Sequence, residues 1–179
     1  MVKNNNQNIG ILGGSFDPPH EGHLYLTLQS LKRLKLKKVI WAITKKNPLK
    51  KKPFFSLTTR KKMCKKLING HKKIKLKHYE NKLKSKNSIT LLRFLKRSYN
   101  YKIFFIIGSD NLINFHKWKN YKELLKMSKL VVFSRKGFDT KAKKSVIMKH
   151  LKSENIKFFN NLKIDISSTK LRSKIINGS

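Results

Sequence analysis

The sequence GGSFDPPHEGH at residues 13–23 is the stretch from which the fold can be inferred. An apolar run at residues 8–12 precedes it, and leucines at helical spacing follow it within residues 21–36. The pattern predicts a strand, a glycine-rich turn and then a helix. Glycine lets a backbone approach a phosphate closely, and the free N–H groups at a helix start favour an anion. The stretch therefore predicts a phosphate site.

Two histidines lie in this stretch. His20 and His23 are three residues apart at the predicted helix start, so their rings should share one face, directed toward the helix N-terminus. One alternative is an ordinary glycine-rich turn with incidental histidines. Another is a zinc site, for which the neighbouring sequence supplies no third ligand. The density of Gly, His and Asp after a strand favours the phosphate interpretation.

A second segment near the C-terminus has a similar character. The sequence ISSTKLR at residues 166–172 places three hydroxyl residues, Ser167, Ser168 and Thr169, at the start of a predicted helix. Hydroxyls and unpaired backbone N–H groups there can bind phosphate oxygens, and Arg172, one turn further on, can add a forked contact. The alternative is an ordinary serine cap. The presence of the first segment favours phosphate binding.

Strands and helices are predicted to alternate along the chain. The predicted strands are at residues 8–12, 38–44, 73–79, 102–107, 130–133 and 156–159. The predicted helices are at residues 21–36, 56–68, 87–99, 141–151 and 167–176, with short helices between 111 and 127. This alternation is typical of the α/β class, here a Rossmann-like doubly wound parallel sheet flanked by helices, as a single domain over residues 1–179. Such sheets bind ligands at the carboxyl ends of their strands.

The charge of the chain is strongly positive. Lys and Arg number 44 against 8 Asp and Glu, a formal net charge of +36. One interpretation is a surface for nucleic acid or an anionic membrane. The other is compositional drift, because lysines are spread along the whole chain. In either case the field attracts polyphosphate ligands.

Composition also excludes several classes of protein. Leu, Ile, Val and Phe total 55 of the 179 residues, which is enough for a core. The sequence contains no apolar run long enough for a transmembrane helix, and residues 1–8 lack the apolar stretch of a signal peptide, so a cytoplasmic protein is expected. The single cysteine, Cys64, excludes an internal disulfide and a multi-cysteine metal site. Cys64 and Trp41 are predicted to lie in the core.

The segments at residues 13–23 and 166–172 together resemble the HxGH nucleotidyltransferases. Within that superfamily the chain is similar to the bacterial nicotinate-nucleotide adenylyltransferase family. The resemblance also includes the helix that bears Arg60 and Met63. The run Gly108-x-Asp110, followed by Phe115-x-x-Trp118, points to the nicotinate-nucleotide member. Further matching segments are residues 47–50, 88–90, 107–112 and 134–137.

The resemblance implies adenylyl transfer from ATP to nicotinate mononucleotide, giving nicotinate adenine dinucleotide and pyrophosphate in NAD biosynthesis. His20, His23 and Arg172 would be catalytic, and Mg²⁺ would accompany ATP with few protein ligands. The implied ATP- and phosphate-binding residues are Gly13, Gly14, Ser15, Phe16, Ser167, Ser168, Thr169 and Arg135. The implied nicotinate-nucleotide residues are Asn47, Lys50, Thr90, Gly108, Asp110 and Trp118. The implied partners are ATP and nicotinate mononucleotide, with neither a membrane nor a specific nucleic acid.

Several alternatives stay open. Trp118 is either a stacking surface for the pyridine ring or a core aromatic. Asp110 binds ribose, caps a helix, or both, and Lys50 is either a phosphate contact or a solvated loop charge. The chain could instead adenylylate the amidated mononucleotide or phosphopantetheine, although His20 is commonly Thr in the phosphopantetheine enzymes. A different class of function is nucleic-acid binding on a degenerate nucleotide-binding fold.

Overall fold

A computed structural model describes residues 7–47, 52–99, 101–150, 155–160 and 166–177. Six parallel strands form one sheet in the order β3-β2-β1-β4-β5-β6. The strands are β1 (Asn8–Gly14), β2 (Lys38–Ile43), β3 (Ile74–Lys77), β4 (Lys102–Gly108), β5 (Ser128–Phe133) and β6 (Ile156–Phe159). The predicted Rossmann-like parallel sheet is confirmed.

Helices connect successive strands. They are α1 (Glu21–Arg33), α2 (Leu57–Leu67), α3 (Glu80–Leu83), α4 (Ser88–Tyr99), α5 (Ser109–Ile113), α6 (Tyr121–Met127), α7 (Asp139–Lys143), α8 (Val146–His150) and α9 (Ser168–Asn177). A 3₁₀ turn, Phe115–Lys117, lies between α5 and α6. Within the described ranges no helix has the length and apolar composition needed to cross a membrane.

The strand order reverses at β1, whose two neighbours are β2 and β4. Chain connections leave this point in opposite directions, so a crevice opens at the carboxyl ends of β1 and β4. The glycine-rich turn follows β1 and therefore lies at this edge. The topology thus places residues 13–23 where a ligand is expected.

Both faces of the sheet are buried. In β4, Ile103, Phe105 and Ile107 point into one apolar cluster, which includes Leu92 of α4. Phe104 and Ile106 point into the other, which includes Trp41 and Cys64. The period-two alternation of a strand explains this division, and burial on both faces explains why β4 reads as a continuous apolar run. The predicted core positions of Trp41 and Cys64 are confirmed, since both are 0% exposed.

Two predicted elements differ from the structure. The helix predicted over residues 141–151 is interrupted between α7 and α8, where buried Ser145 lies. The short helix α3 was not predicted, because its four residues are too few to show a helical period.

Gly10 leaves no room for a side chain in the middle of β1. A Cβ there would lie 2.8 Å from Ile106 and 2.9 Å from both Leu36 and Val39. Overpacking of this kind forces neighbouring side chains to shift. We expect Gly10→Ala to lower the free energy of unfolding by about 1–3 kcal/mol, measured by urea denaturation. Gly13→Ala is the control, because its Cβ would meet only Phe105, at 3.9 Å. Equal stability of the two variants would contradict the expectation.

Candidate active site

The turn between β1 and α1, residues 15–20, is anchored in the core by an aromatic side chain. Phe16 has a φ of +48°, a conformation that is uncommon outside glycine. Its ring is 2% exposed and stacks on Trp41 at a centroid distance of 4.8 Å. Only the backbone of Phe16 is therefore placed to meet a ligand. The peptide bond between Asp17 and Pro18 is cis.

The two histidines lie together at the start of α1, where His20 is the N-cap. Their ring centroids are 3.9 Å apart, and the His20 backbone N–H donates to Nδ1 of His23 at 3.2 Å. The His23 ring lies 5.0 Å from that of Phe16. The predicted sharing of one face is confirmed by this geometry.

Gly22, between the histidines, is required by their packing. A Cβ at this position would lie 2.9 Å from two atoms of the His20 ring and 3.1 Å from a methyl group of Ile166. Ile166 belongs to the segment that leads into α9. Gly22 therefore lets the imidazoles and the start of α9 approach each other.

The His20 side chain is held in its neutral form. Burial and, secondarily, the positive charge of Arg135 lower the pKa of His20 to about 4. Its Nδ1 is buried and has no hydrogen-bond partner among the described residues. An anion bound beside the ring would offset the influence of Arg135.

The start of α9 packs onto the turn. The Ser168 hydroxyl donates to the Pro18 carbonyl at 2.9 Å, and Arg172 donates to the Asp17 carbonyl. Arg172 Nη1 also lies 3.6 Å from the Asp17 carboxylate. The structure thus brings residues 13–23 and 166–172 together across 150 positions of sequence.

The hydroxyl residues of α9 have distinct local roles. The Ser167 hydroxyl accepts from the backbone N–H of Lys170 at 3.1 Å, which is an N-cap contact. Thr169 accepts from Arg172 Nη2 at 3.1 Å. The serine cap considered as the alternative is therefore present at Ser167. Since the backbone N–H groups at a helix start remain available to an anion, the cap and a phosphate site can coexist.

Asp17 is a structural carboxylate that joins the turn to the chain beyond β2. It is 5% exposed and accepts backbone N–H groups from Phe54 at 2.7 Å and from Phe55 at 2.9 Å. With Arg172 beside it, both oxygens are occupied. The sequence placed Asp17 in an informative segment but did not identify these partners.

Arg60 of α2 completes the same connection, and its role was not predicted. It is 1% exposed, and its guanidinium donates to four backbone carbonyls. These are Ser15, Thr44 at 2.8 Å, Lys45 at 2.9 Å and Phe55 at 3.0 Å. One side chain therefore connects the turn after β1 to the end of β2 and to Phe54–Phe55, a segment before α2 that we call the strap. The resemblance included Arg60 without assigning it a function.

A second ionic group lies at the carboxyl ends of β4 and β5. Arg135 pairs with Asp110 at 2.6 Å, and its backbone N–H donates to the Ser109 hydroxyl at 3.0 Å. A Cβ on Gly108 would lie 2.5 Å from Asp110 Oδ1. The N-cap of α5 is Gly108, so the helix-cap interpretation of Asp110 is wrong. Asp110 lies in the first turn of α5 and binds Arg135.

The remaining predicted residues lie around the sheet edge or outside the described chain. Trp118 packs against Phe115 at 5.0 Å and edge-on to Phe105 at 5.8 Å, and it is half-buried. Thr90 of α4 accepts a hydrogen bond from Ser85 at 3.1 Å. Asn47 follows β2 and is half-buried. Lys50 falls outside the described residues.

A cleft opens beside the carboxyl ends of β2 and β3. Its volume is about 430 Å³, and its lining includes four lysines and Glu80. It shares Glu80 and residues 85–87 with a narrower cavity that reaches Thr44, Gly13 and Phe105. The combined opening leads from the lysine-rich surface toward the glycine-rich turn.

Known proteins are similar to this chain over most of its length. Residues 11–174 match the sequence profile of the cytidylyltransferase-like family. A Pelagibacter ubique (strain HTCC1062) protein named "Probable nicotinate-nucleotide adenylyltransferase" is 46% identical over 164 residues, 92% of this chain and 91% of the relative. A protein of the same name from Aquifex aeolicus (strain VF5) is 35% identical over 165 residues, 89% of this chain and 98% of the relative.

Solved structures share the fold. The Plasmodium falciparum nicotinic acid mononucleotide adenylyltransferase complexed with NaAD matches with a TM-score of 0.74 and 24% identity, covering 96% of this chain and 88% of that chain. The same enzyme complexed with APC matches with a TM-score of 0.73 and 23% identity, covering 93% and 83%. At this level of identity the likeness establishes the architecture.

The neutrality of His20 has a consequence for stability. Since the unfolded chain has a His pKa near 6.5 and the folded pKa is about 4, the unfolded chain binds more protons between these values. Stability should therefore fall as the pH drops from 6.5 to 4. We expect this fall to be about 2 kcal/mol smaller in His20→Asn than in the unsubstituted protein. Urea denaturation at pH 7 and pH 4 measures it, and identical pH dependences would contradict the assignment.

Removing the Arg60 guanidinium should loosen the turn. Arg60→Met leaves four carbonyls without their donor, so we expect a loss of at least about 3 kcal/mol of unfolding free energy. Arg60→Lys keeps the charge but cannot reach all four acceptors, and we expect an intermediate loss. The control is Arg93→Met, because Arg93 pairs with Glu123 on the surface. Thermal and urea unfolding measure the effect, and a loss in Arg93→Met as large as in Arg60→Met would refute it.

Proposed function

Because the chain belongs to the nicotinate-nucleotide adenylyltransferase family of the cytidylyltransferase-like proteins, we propose that it transfers the adenylyl group of ATP to nicotinate mononucleotide. The products are nicotinate adenine dinucleotide and pyrophosphate, in NAD biosynthesis. The observation that carries the proposal is that the start of α9 is bonded to the turn that leads into the His20–His23 pair, through the Ser168–Pro18 and Arg172–Asp17 hydrogen bonds. Because the reaction uses ATP, the proposal places the enzyme in the cytoplasm.

The reaction is a displacement at phosphorus. A phosphate oxygen of the mononucleotide bonds to the α-phosphorus of ATP while the bond from that phosphorus to the bridging oxygen breaks, and pyrophosphate leaves with the electron pair. The nucleophile is already anionic near neutral pH, so no strong general base is needed. Catalysis then depends on alignment of the two phosphates and on stabilisation of the charge that accumulates on the leaving group.

We assign the triphosphate to the space between the turn and α9. Gly13 and Gly14 end β1 and carry no side chain that would keep a phosphate from the backbone, and Ser15 continues the same path. His20 and His23 would contact the phosphates around the reacting phosphorus. The N–H groups at the start of α9, with Ser168 and Thr169, would bind the distal phosphates. Arg172, anchored on Asp17, would direct its remaining donors to them.

Magnesium enters this proposal with ATP. The described residues contain no cluster of three or more His, Cys, Asp or Glu side chains that could hold a metal ion. Asp17 and Asp110 are occupied by backbone amides or arginine. The donor set therefore fits an ion bound mainly by phosphate oxygens and water, as Mg²⁺ prefers. When bound, the ion neutralises phosphate charge.

We place the mononucleotide on the other side of the glycine-rich turn. Phe105 lies 3.9 Å from the position of a Gly13 Cβ, and Trp118 packs edge-on against Phe105. Aromatic packing thus continues from below the turn toward the half-buried Trp118. The pyridine ring would stack on Trp118, with Thr90 and Asn47 near its carboxylate. Arg135 would border the adenine side.

The proposal is tested by direct assay. Purified protein with ATP, Mg²⁺ and nicotinate mononucleotide should form the dinucleotide and release pyrophosphate. We expect His20→Ala and His23→Ala each to lower kcat/KM by at least about 10²-fold, the scale for removal of a charge-stabilising group, with far-ultraviolet circular dichroism unchanged. The control is His71→Ala, since His71 lies in the turn after α2 and has no role in the proposed site.

Two further arms of the assay separate the alternatives. Parallel reactions with the amidated mononucleotide and with phosphopantetheine identify the preferred acceptor. Binding of RNA with a steep salt dependence that survives His20→Ala would instead support the nucleic-acid function suggested by the +36 charge. If the unsubstituted protein forms no nicotinate adenine dinucleotide from ATP and nicotinate mononucleotide, the proposal is overturned.

A further inference from the structure

The carboxylate that the resemblance assigns to ribose is engaged elsewhere in the structure. Asp110 Oδ2 receives Arg135 at 2.6 Å, and Oδ1 receives the Asn111 amide at 3.3 Å. A ribose hydroxyl would have to compete with a charge-assisted contact for this group. Acceptors for the sugar are available in a different place, the cleft beside the carboxyl ends of β2 and β3.

Two polar atoms in the cleft are buried and lack partners. Glu80 Oε2 accepts the backbone N–H of Lys45 at 2.9 Å, but Oε1 is buried without a hydrogen bond among the described residues. The Thr44 hydroxyl is likewise buried and unpartnered. Both residues line the inner cavity, which also includes Gly13 and Phe105. Since a buried polar atom without a partner costs free energy, these two atoms indicate where a polar ligand group is missing.

Glu80 is a negatively charged side chain in a cleft to which we assign an anionic substrate. Lys45, Lys46, Lys84 and Lys86 line the same cleft, so the carboxylate does not leave the region negative. An ionised carboxylate can nevertheless only accept hydrogen bonds and cannot donate one. It will repel a phosphate or a carboxylate placed directly against it, and it will attract a hydroxyl or an N–H.

The need for a hydrogen-bond donor identifies the part of the mononucleotide that can bind Glu80. Its phosphate and its pyridine carboxylate offer acceptors only, and its quaternary ring nitrogen carries no hydrogen. Only the two ribose hydroxyls can donate. We propose that Glu80 Oε1 and the Thr44 hydroxyl bind the ribose hydroxyls of the mononucleotide, with Glu80 as the acceptor that selects a ribonucleotide. The inference rests on the proposed function, whose substrate site it completes.

The placement agrees with the connections around the turn. The Thr44 N–H donates to Gly14 at 3.0 Å, and its carbonyl accepts from Arg60. The Lys45 N–H that binds Glu80 belongs to the same peptide group as this Thr44 carbonyl. The ribose would thus lie against the same backbone that positions the glycine-rich turn, next to the reacting phosphate that its own 5′ carbon carries.

The experiment compares Glu80→Gln with the unsubstituted enzyme on nicotinate mononucleotide and on its 2′-deoxy and 3′-deoxy forms. The amide oxygen of Gln can still accept the Lys45 N–H, so the substitution removes the second acceptor alone. We expect kcat/KM for the mononucleotide to fall on the order of tenfold, with the KM for ATP changed less than twofold. With one of the deoxy substrates, kcat/KM of the unsubstituted enzyme should also be about tenfold lower than with nicotinate mononucleotide. On that deoxy substrate, Glu80→Gln should lower kcat/KM no further.

Matched variants keep the test independent of folding. Thr44→Val should lower kcat/KM for the mononucleotide in the same way, because it removes the hydroxyl. Thr44→Ser keeps the hydroxyl and should retain the kcat/KM of the unsubstituted enzyme. Glu123→Gln, a surface carboxylate paired with Arg93, should change nothing. Equal losses by Glu80→Gln on all three substrates, or no loss at all, would overturn the ribose assignment while the enzyme remains active. If no form of the protein makes the dinucleotide, the proposed function itself is overturned.

Discussion

The site depends on how the carboxyl ends of β1 and β2 satisfy their backbone carbonyls. Strands that end at a crevice leave peptide groups that have no partner in the sheet, and unpaired buried carbonyls are costly. Arg60 supplies donors to three of them, and to the carbonyl of Phe55, from a single buried guanidinium. Its planar fork reaches several acceptors at once, which the single ammonium of a lysine cannot do. The geometry of the turn, of the β2 end and of the Phe54–Phe55 strap follows from this one side chain.

Asp17 acts in the opposite sense and completes the arrangement. It accepts two amides from the strap and stands beside Arg172 of α9. The backbone of Phe55 is therefore held on both sides, because its N–H donates to Asp17 and its carbonyl accepts from Arg60. A chain with only eight Asp and Glu residues uses one of them, almost fully buried, to hold backbone. The histidines and α9 receive their relative position through these contacts, although none of them is sequence-adjacent to Arg60.

Much of the fold could be predicted because its signals are local. The turn between β1 and α1 and the apolar run of β4 are both visible in short windows of sequence. The interruption between α7 and α8 was missed because the lysine-rich helical pattern continues across it. The convergence of residues 13–23 and 166–172 could be expected from the topology. The partners of Arg60 could not, since they are backbone carbonyls, which every residue carries and which leave no trace in composition. Glu80 was missed for a related reason, because its importance lies in an oxygen that the protein itself leaves unpaired.

The stacking of Phe16 on Trp41 has a thermodynamic consequence. The turn reaches a left-handed backbone conformation at Phe16, and the buried ring fixes it there against the interior of the sheet. Fixing a flexible loop costs conformational entropy, on the order of 1–2 kcal/mol per residue. Here that entropy is lost once, when the chain folds, and is not lost again each time a nucleotide binds.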